Sequence, residues 1–237
     1  MSEWSIRRIH AISKLNNAST YLEIGVYMGD TFHPIDLPYK DAVDPSFKFD
    51  ISLIANEQIR LFEMTSNQFF SSNLPKRHYD IVFLDGMHVF AQIFRDFSSA
   101  LTLSHSRTVF LIDDTIPCDV YSSLPNHQQA VKERKRANPA GNDAWHGDVF
   151  KIILAIHDFF PTLTFATIMN SGNPQTIVWH EPRKNFIPLI DDFEKISRAN
   201  YFDLSNYASA FNLTTEEAAL DRLRQGLEKN KDANHLI

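Results

Sequence analysis

Asp85-Gly86-Met87-His88 and Asp113-Asp114 are the segments of this sequence best equipped for chemistry. Asp85 closes the apolar run from Tyr79 to Leu84, and Asp113 with Asp114 closes the run from Thr108 to Ile112. If both runs are strands of one mainly parallel sheet, all three carboxylates lie at its carboxyl edge, where α/β proteins bind their ligands. His88 follows Asp85 by three residues, and a neutral imidazole, with an ordinary pKa of about 6.5, can take a proton from a hydroxyl group at neutral pH.

A second constellation lies earlier. Tyr21-Leu22-Glu23-Ile24-Gly25-Val26-Tyr27-Met28-Gly29 puts an acid and two glycines where a first strand ends in a turn, in a chain with only seven glycines. Glycine permits the tight turn and removes the Cβ that would keep a ligand from the backbone. Asp44 comes nineteen residues after Gly25, close to the spacing of about 20 at which such folds place an acid on the ribose hydroxyls. A turn aspartate before Pro45 is the plainer explanation of Asp44 alone. The full Gly-x-Gly-x-x-Gly is absent, with Tyr27 where its second glycine would stand, so a nucleoside ligand without a pyrophosphate fits better. No Gly-x-Ser-x-Gly elbow, P-loop or His-Glu-x-x-His motif is present.

The chain around these residues has a βα rhythm. Strands are expected at Tyr21 to Val26, Lys40 to Val43, Arg60 to Met64, Tyr79 to Leu84, Thr108 to Ile112, Leu163 to Ile168 and Gln175 to Trp179. That predicts a Rossmann-like α/β fold: a doubly wound, seven-stranded, mostly parallel sheet with helices on both faces. Phe90, Ile93, Phe94, Phe97, Ala100 and Leu101 recur at helical spacing, with Gln92, Arg95, Asp96 and Ser99 assigned to the outer face. Residues 1–185 form the expected domain, and 186–237 a helical tail that either packs on it or supports a homodimer. The tail's last helix is expected to start near Leu213 to Glu217 and to fray from Asn230 to Ile237. Residues 115–145 break the rhythm with three prolines and the run Lys132-Glu133-Arg134-Lys135-Arg136, as a lid or a solvated helix would. Beyond them, His146-Gly147-Asp148 reads as a helix start, with Asp148 at the positive end of the dipole.

Composition narrows the class. A formal charge of −6 argues against a general nucleic-acid binder, which needs a dominant basic face. Cys118 is the only cysteine, which leaves no internal disulfide or cysteine-based zinc site and fits a reducing compartment. With no apolar leader and no apolar run near 18 residues, a cytoplasmic protein that neither spans nor binds a membrane is expected.

The order of several blocks resembles the class I S-adenosylmethionine-dependent methyltransferases, in particular a branch that accompanies glycan or natural-product biosynthesis. The blocks are Phe62-Glu63-Met64-Thr65-Ser66-Asn67-Gln68-Phe69-Phe70, Tyr79 to His88, Arg95-Asp96-Phe97, Ile112 to Pro117 and Trp145-His146-Gly147-Asp148-Val149-Phe150-Lys151. Asp-Gly-x-His and Trp-x-Gly-Asp-Val are the specific ones. The resemblance implies that Glu23, Gly25 and Gly29 shape the methionine side of the cofactor pocket, that Asp44 holds the ribose, and that Ser66 and Asn67 lie near the adenine, with Asp85 also at the cofactor. Asn67 stands where an aspartate is usual. In that topology the fourth and fifth strands are neighbours, so Asp85, Asp113 and Asp114 would converge and need a proton or cation between them; oxygen ligands point to Mg²⁺ or a similar divalent ion. Sugar and macrolide O-methyltransferases to which this region is similar use such a cation with a histidine base, here His88. The implied reaction is methylation of a sugar or other small hydroxyl compound. A NAD-dependent oxidoreductase and a catalytically silent methyltransferase fold acting as a scaffold are the alternatives.

Overall fold

The structure, a computed structural model, describes residues 2–234. Its centre is a sheet of β1 (Thr20–Ile24), β2 (Tyr39–Asp44), β3 (Ile59–Glu63), β4 (Ile81–Leu84), β5 (Val109–Ile112), β6 (Leu163–Ile168), β7 (Gln175–His180) and β8 (Leu213–Thr214). Their spatial order is β3-β2-β1-β4-β5-β7-β6-β8. The first five strands are parallel, and β7 runs antiparallel between β5 and β6.

All residues of β4 and β5 are buried, as expected of strands covered on both faces. Their alternation sorts the core into two layers. Val82, Leu84, Phe110 and Ile112 pack beneath α3 (Phe90–Leu101) and α5 (Lys151–Phe159), whereas Ile81, Phe83, Val109 and Leu111 pack beneath α1 (Ser2–Asn16) and α7 (Glu216–Asn234). A short α2 (Ser66–Ser71), closed by a Thr65–Gln68 capping box, flanks α3. α4 (His127–Ala137) lies inside the 115–145 insertion, and α6 (Phe193–Arg198) packs on α5. No helix of the described residues is long and apolar enough to cross a membrane.

Three expectations change. The sheet has eight strands rather than seven, because Leu213–Thr214 pairs in parallel with Thr167 and Ile168. Two residues carry no readable periodicity; the last helix itself starts at Glu216, within the expected range, with the Thr215 hydroxyl accepting from the Ala218 amide. Asp96 is 1% exposed rather than on the outer face of α3, since its carboxylate bonds Gln92 one turn earlier. Finally, α7 continues through Asn234, while residues 235–237 of the segment expected to fray lie outside the described residues.

One carboxylate registers two neighbouring strands, β1 and β4. Asp80, just before β4, accepts the amides of Ser19 and Thr20 at 2.7 and 3.0 Å and the Thr20 hydroxyl at 2.9 Å, and lies 3.2 Å from His105 Nε2. Burial opposes its charge, but the His105 contact and the Ser19 and Thr20 donors win and hold its carboxyl well below the usual carboxylate range. A depressed folded-state pKa stabilises the fold in full above the unfolded value near 3.9 and loses that contribution progressively as pH falls from there through the lower folded-state value. Asp80→Asn is therefore expected to cost about 2 kcal/mol in urea unfolding at pH 7, and the difference from wild type shrinks as pH drops below about 4.

Candidate active site

The carboxyl edge of β1, β4 and β5 collects the reactive residues. Gly25 follows β1, Asp85 follows β4, and Asp113 and Asp114 follow β5, with Gly25, Asp85 and Asp113 extending the sheet ladder through amide bonds to Val43, Ile24 and Leu84. Gly25 adopts φ +87°, and a side chain there would overlap the Asp85 carbonyl and the Gly86 α-carbon. The turn after β1 thus rests directly on the turn after β4.

Asp85, His88 and Asp114 meet here, with candidate ligand atoms all within 4.8 Å of one another. His88 Nδ1 lies 2.9 Å from Asp114 Oδ2 and 3.2 Å from the Trp145 carbonyl oxygen, and Nε2 lies 3.6 Å from Asp85 Oδ1. Asp113 turns away: its Oδ1 accepts the Asp114 amide at 2.8 Å and Asn173 Nδ2 at 2.5 Å, and it is not among the three. Asn173 Nδ2 also donates to Asp114 Oδ1 at 2.6 Å. Asp114 sits at φ +57°, a conformation that aspartate tolerates better than most residues.

The charges sort by surroundings. Burial opposes ionisation of Asp114, yet His88, His146 and Asn173 hold its carboxyl below the usual range. Burial pushes Asp113 well above that range, reinforced by the charges of Asp85 and Asp114. Asp85 is raised by burial and by Asp114, with His88 working against the shift. Burial alone would lower His88, but its two carboxylate partners push it up to about 11. Two like charges in a poorly solvated cleft require compensation; here a charged imidazole provides it.

The residues expected at the cofactor lie in and around the turns after β1 and β2 and at the start of α2. Glu23 is buried and accepts the Tyr21 hydroxyl at 2.6 Å, with burial pushing it well above the carboxylate range. Gly29 adopts φ +79° against the His33 ring. Asp44 uses Oδ2 on the amides of Val26 and Tyr27, at 2.9 and 2.8 Å, and Oδ1 on that of Ser46, at 2.7 Å. Its first role is therefore to shape the loop, with lone-pair capacity left chiefly on Oδ1. Ser66 and Asn67 open α2, where Gln92 Nε2 lies within 3.1 Å of Ser66 Oγ, Asn67 Oδ1 and Asp96 Oδ1. A cavity of 480 Å³ between Leu124, Phe150, Tyr201 and Phe202 adjoins the insertion. A larger one of 860 Å³, beside Glu181 and Arg183, lies at the other edge of the sheet, and Arg183 is spent there on four backbone carbonyls.

No protein-family model and no curated protein matches the sequence. Among solved structures, the chain resembles the O-methyltransferase from Bacillus cereus in complex with SAH, at 16% identity over 76% of this chain and 82% of that one, with a TM-score of 0.54. It also resembles the cofactor-bound Rv0187 from MTB (12% identity, 77% and 82% covered, TM-score 0.53) and the plantazolicin methyltransferase BpumL in complex with a monoazolic desmethylPZN analog and SAH (10%, 76% and 86%, 0.50). The chain has the class I S-adenosylmethionine-dependent methyltransferase fold. Its antiparallel β7 between β5 and β6 separates this methyltransferase fold from the all-parallel 3-2-1-4-5-6 order of dinucleotide-binding sheets.

Three residues around the edge of this methyltransferase fold have no role that the sequence pattern reveals. Asn173 lies in the loop between β6 and β7, more than fifty residues from the aspartates it bridges, and has no local signature. Gln92 and Asp96 are spaced i, i+4 on α3, and the Arg95-Asp96-Phe97 block was their available trace. Asp148 departs from expectation: its Oδ1 accepts the Phe90 amide at 2.6 Å, capping α3 rather than its own helix, because Val89 offers α3 no side-chain cap. Asn173→Ala is expected to destabilise the fold by about 2 kcal/mol, measured by urea unfolding, because it removes the donor that Asp113 and Asp114 share.

Proposed function

We propose that this protein transfers the methyl group of S-adenosylmethionine to a hydroxyl oxygen of a small acceptor, a sugar or a similar compound. The observation that supports this most is the seating of the Gly25 turn on the Asp85 backbone. It brings the edge where the cofactor would lie against the residues that could deprotonate an acceptor. Glu23, Gly25 and Gly29 would shape the methionine side, Asp44 Oδ1 would take a ribose hydroxyl, and Ser66 and Asn67, steadied by Gln92, would border the adenine.

Asp85 and Asp114, two carboxylates whose oxygens approach within 4.8 Å of one another, would suit a hard divalent cation such as Mg²⁺, which prefers oxygen ligands. When bound, such an ion supplies Lewis acidity that lowers the pKa of a hydroxyl group. His88 does the rest. Its Nδ1 faces only acceptors, the Asp114 carboxylate and the Trp145 carbonyl, so Nδ1 carries a hydrogen and Nε2 is the atom available for chemistry. Once the carboxylate charge that raises it is neutralised, the ring returns toward its ordinary pKa and can accept the hydroxyl proton. The oxygen lone pair then forms the bond to the methyl carbon as the carbon–sulfur pair returns to sulfur, leaving S-adenosylhomocysteine. If Nε2 instead ligates the ion, it has no lone pair left for that proton.

Calorimetric titration with S-adenosylmethionine and with NAD⁺, each with and without Mg²⁺, is expected to give saturable binding of the sulfonium compound alone. Folded protein that binds neither sinks the proposal. Gly25→Ala is expected to abolish cofactor binding. His88→Ala should lower kcat on a hydroxyl acceptor by about 10²–10⁴-fold while Mn²⁺ binding, read by electron paramagnetic resonance, persists; loss of Mn²⁺ binding would make His88 a ligand rather than the base.

A further inference from the structure

The segment Trp145-His146-Gly147-Asp148 clamps the segment His88-Val89-Phe90. The Trp145 indole stacks on the His88 imidazole with ring centroids 4.7 Å apart and planes 12° from parallel, and the Trp145 carbonyl oxygen lies 3.2 Å from His88 Nδ1. Gly147, at φ +60°, presses on the His88 carbonyl so closely that a side chain would overlap it. Asp148 then holds the Phe90 amide.

Trp145 is itself fixed from the insertion. Its Nε1 donates to the Leu124 carbonyl at 2.7 Å, and its ring also meets His127, at 5.0 Å between centroids. Arg134 braces that same insertion from within, 4% exposed, with two bonds to Asp119 and others to the carbonyls of Asn142 and Ala144. Rotation of the imidazole about its Cβ–Cγ bond would carry Nδ1 away from the Asp114 carboxylate and the Trp145 carbonyl; a flat indole across its face blocks the same rotation, and the electron-rich face also favours a ring carrying positive charge.

We infer that Trp145 is the positioning residue of this site: its stacked indole and its carbonyl hold the His88 ring with Nε2 toward Asp85, the orientation that proton transfer from an acceptor hydroxyl requires. The inference rests on the proposed methyl transfer for its catalytic consequence, and on the ring geometry alone for its structural one. The insertion thereby becomes part of the catalytic apparatus, since it supplies the indole.

Two variants test it, Trp145→Phe, which keeps an aromatic face, and Trp145→Leu, which keeps apolar volume without one. Cofactor affinity by calorimetry should match wild type in both. Nitrogen-15 NMR, with His88→Gln assigning the resonance, is expected to show a hydrogen-bonded Nδ1–H of His88 in wild type and Trp145→Phe and its loss to solvent exchange in Trp145→Leu. On a hydroxyl acceptor, kcat should fall about tenfold or more in Trp145→Leu at unchanged KM, with Trp145→Phe recovering to within about threefold of wild type. An undisturbed His88 resonance and kcat in Trp145→Leu would overturn the inference, as would equal impairment of both variants. Because the resonance is read without turnover, absence of methyl transfer by the wild-type protein would count against the proposed reaction and not against the placement of His88 by Trp145.

Discussion

Asp85 and Asp114 face one another across the gap between neighbouring strands, and their mutual repulsion in a poorly solvated cleft is the constraint around which the site is arranged. Asp114, which is buried, cannot be charged there without a counter-charge or donor hydrogens, whereas Asp85 keeps about a third of its side chain exposed and depends on them less. His88 meets both carboxylates, Asn173 reaches across from the β6–β7 loop, and Asp113 yields by turning inward and shifting toward its protonated form. The same arrangement makes the cleft a fitting place for a cation or for a hydroxyl about to lose its proton: both relieve a strain that the fold has already accepted.

The carboxylates can converge only because backbones come unusually close behind them. Gly25 against Asp85 and Gly147 against His88 are contacts that any side chain would block, and both glycines occupy the left-handed region. They join the turn after β1, the acid and the imidazole into one layer at the sheet edge. Beneath that layer the completely buried β4 and β5 hold the groups at the edge in place.

The insertion has two faces with different physics. Lys132, Lys135 and Arg136 are solvated, whereas Arg134 in the same charged run is buried as an internal brace. Asp148, just past the insertion, replaces the missing cap of α3. The insertion and the residues just past it thus secure both the ring of His88, through Trp145, and the start of the helix behind it, through Asp148.

The α/β class, the positions of seven strands to within one or two residues, the glycine turn and the acids at strand ends were legible in the sequence, because each is a local matter of a short continuous apolar run, backbone freedom or chain punctuation. The grouping of the three acids was only half legible. Asp113 and Asp114 are adjacent in the chain, and which of them faces His88 depends on the backbone turn at Asp114 and on Asn173, sixty residues away from Asp113. Asp44 shows the same limit: its spacing raised the expectation of a ribose contact, whereas in the fold its Oδ2 accepts the amides of Val26 and Tyr27. Periodicity placed Asp96 outside, and a hydrogen-bonded network brought it in. The elements and the chemical types at their ends were set by the sequence alone. Which of those groups touch was settled by the folded chain, because contacts between residues far apart in sequence depend on strand order and backbone approach, and neither leaves a local pattern.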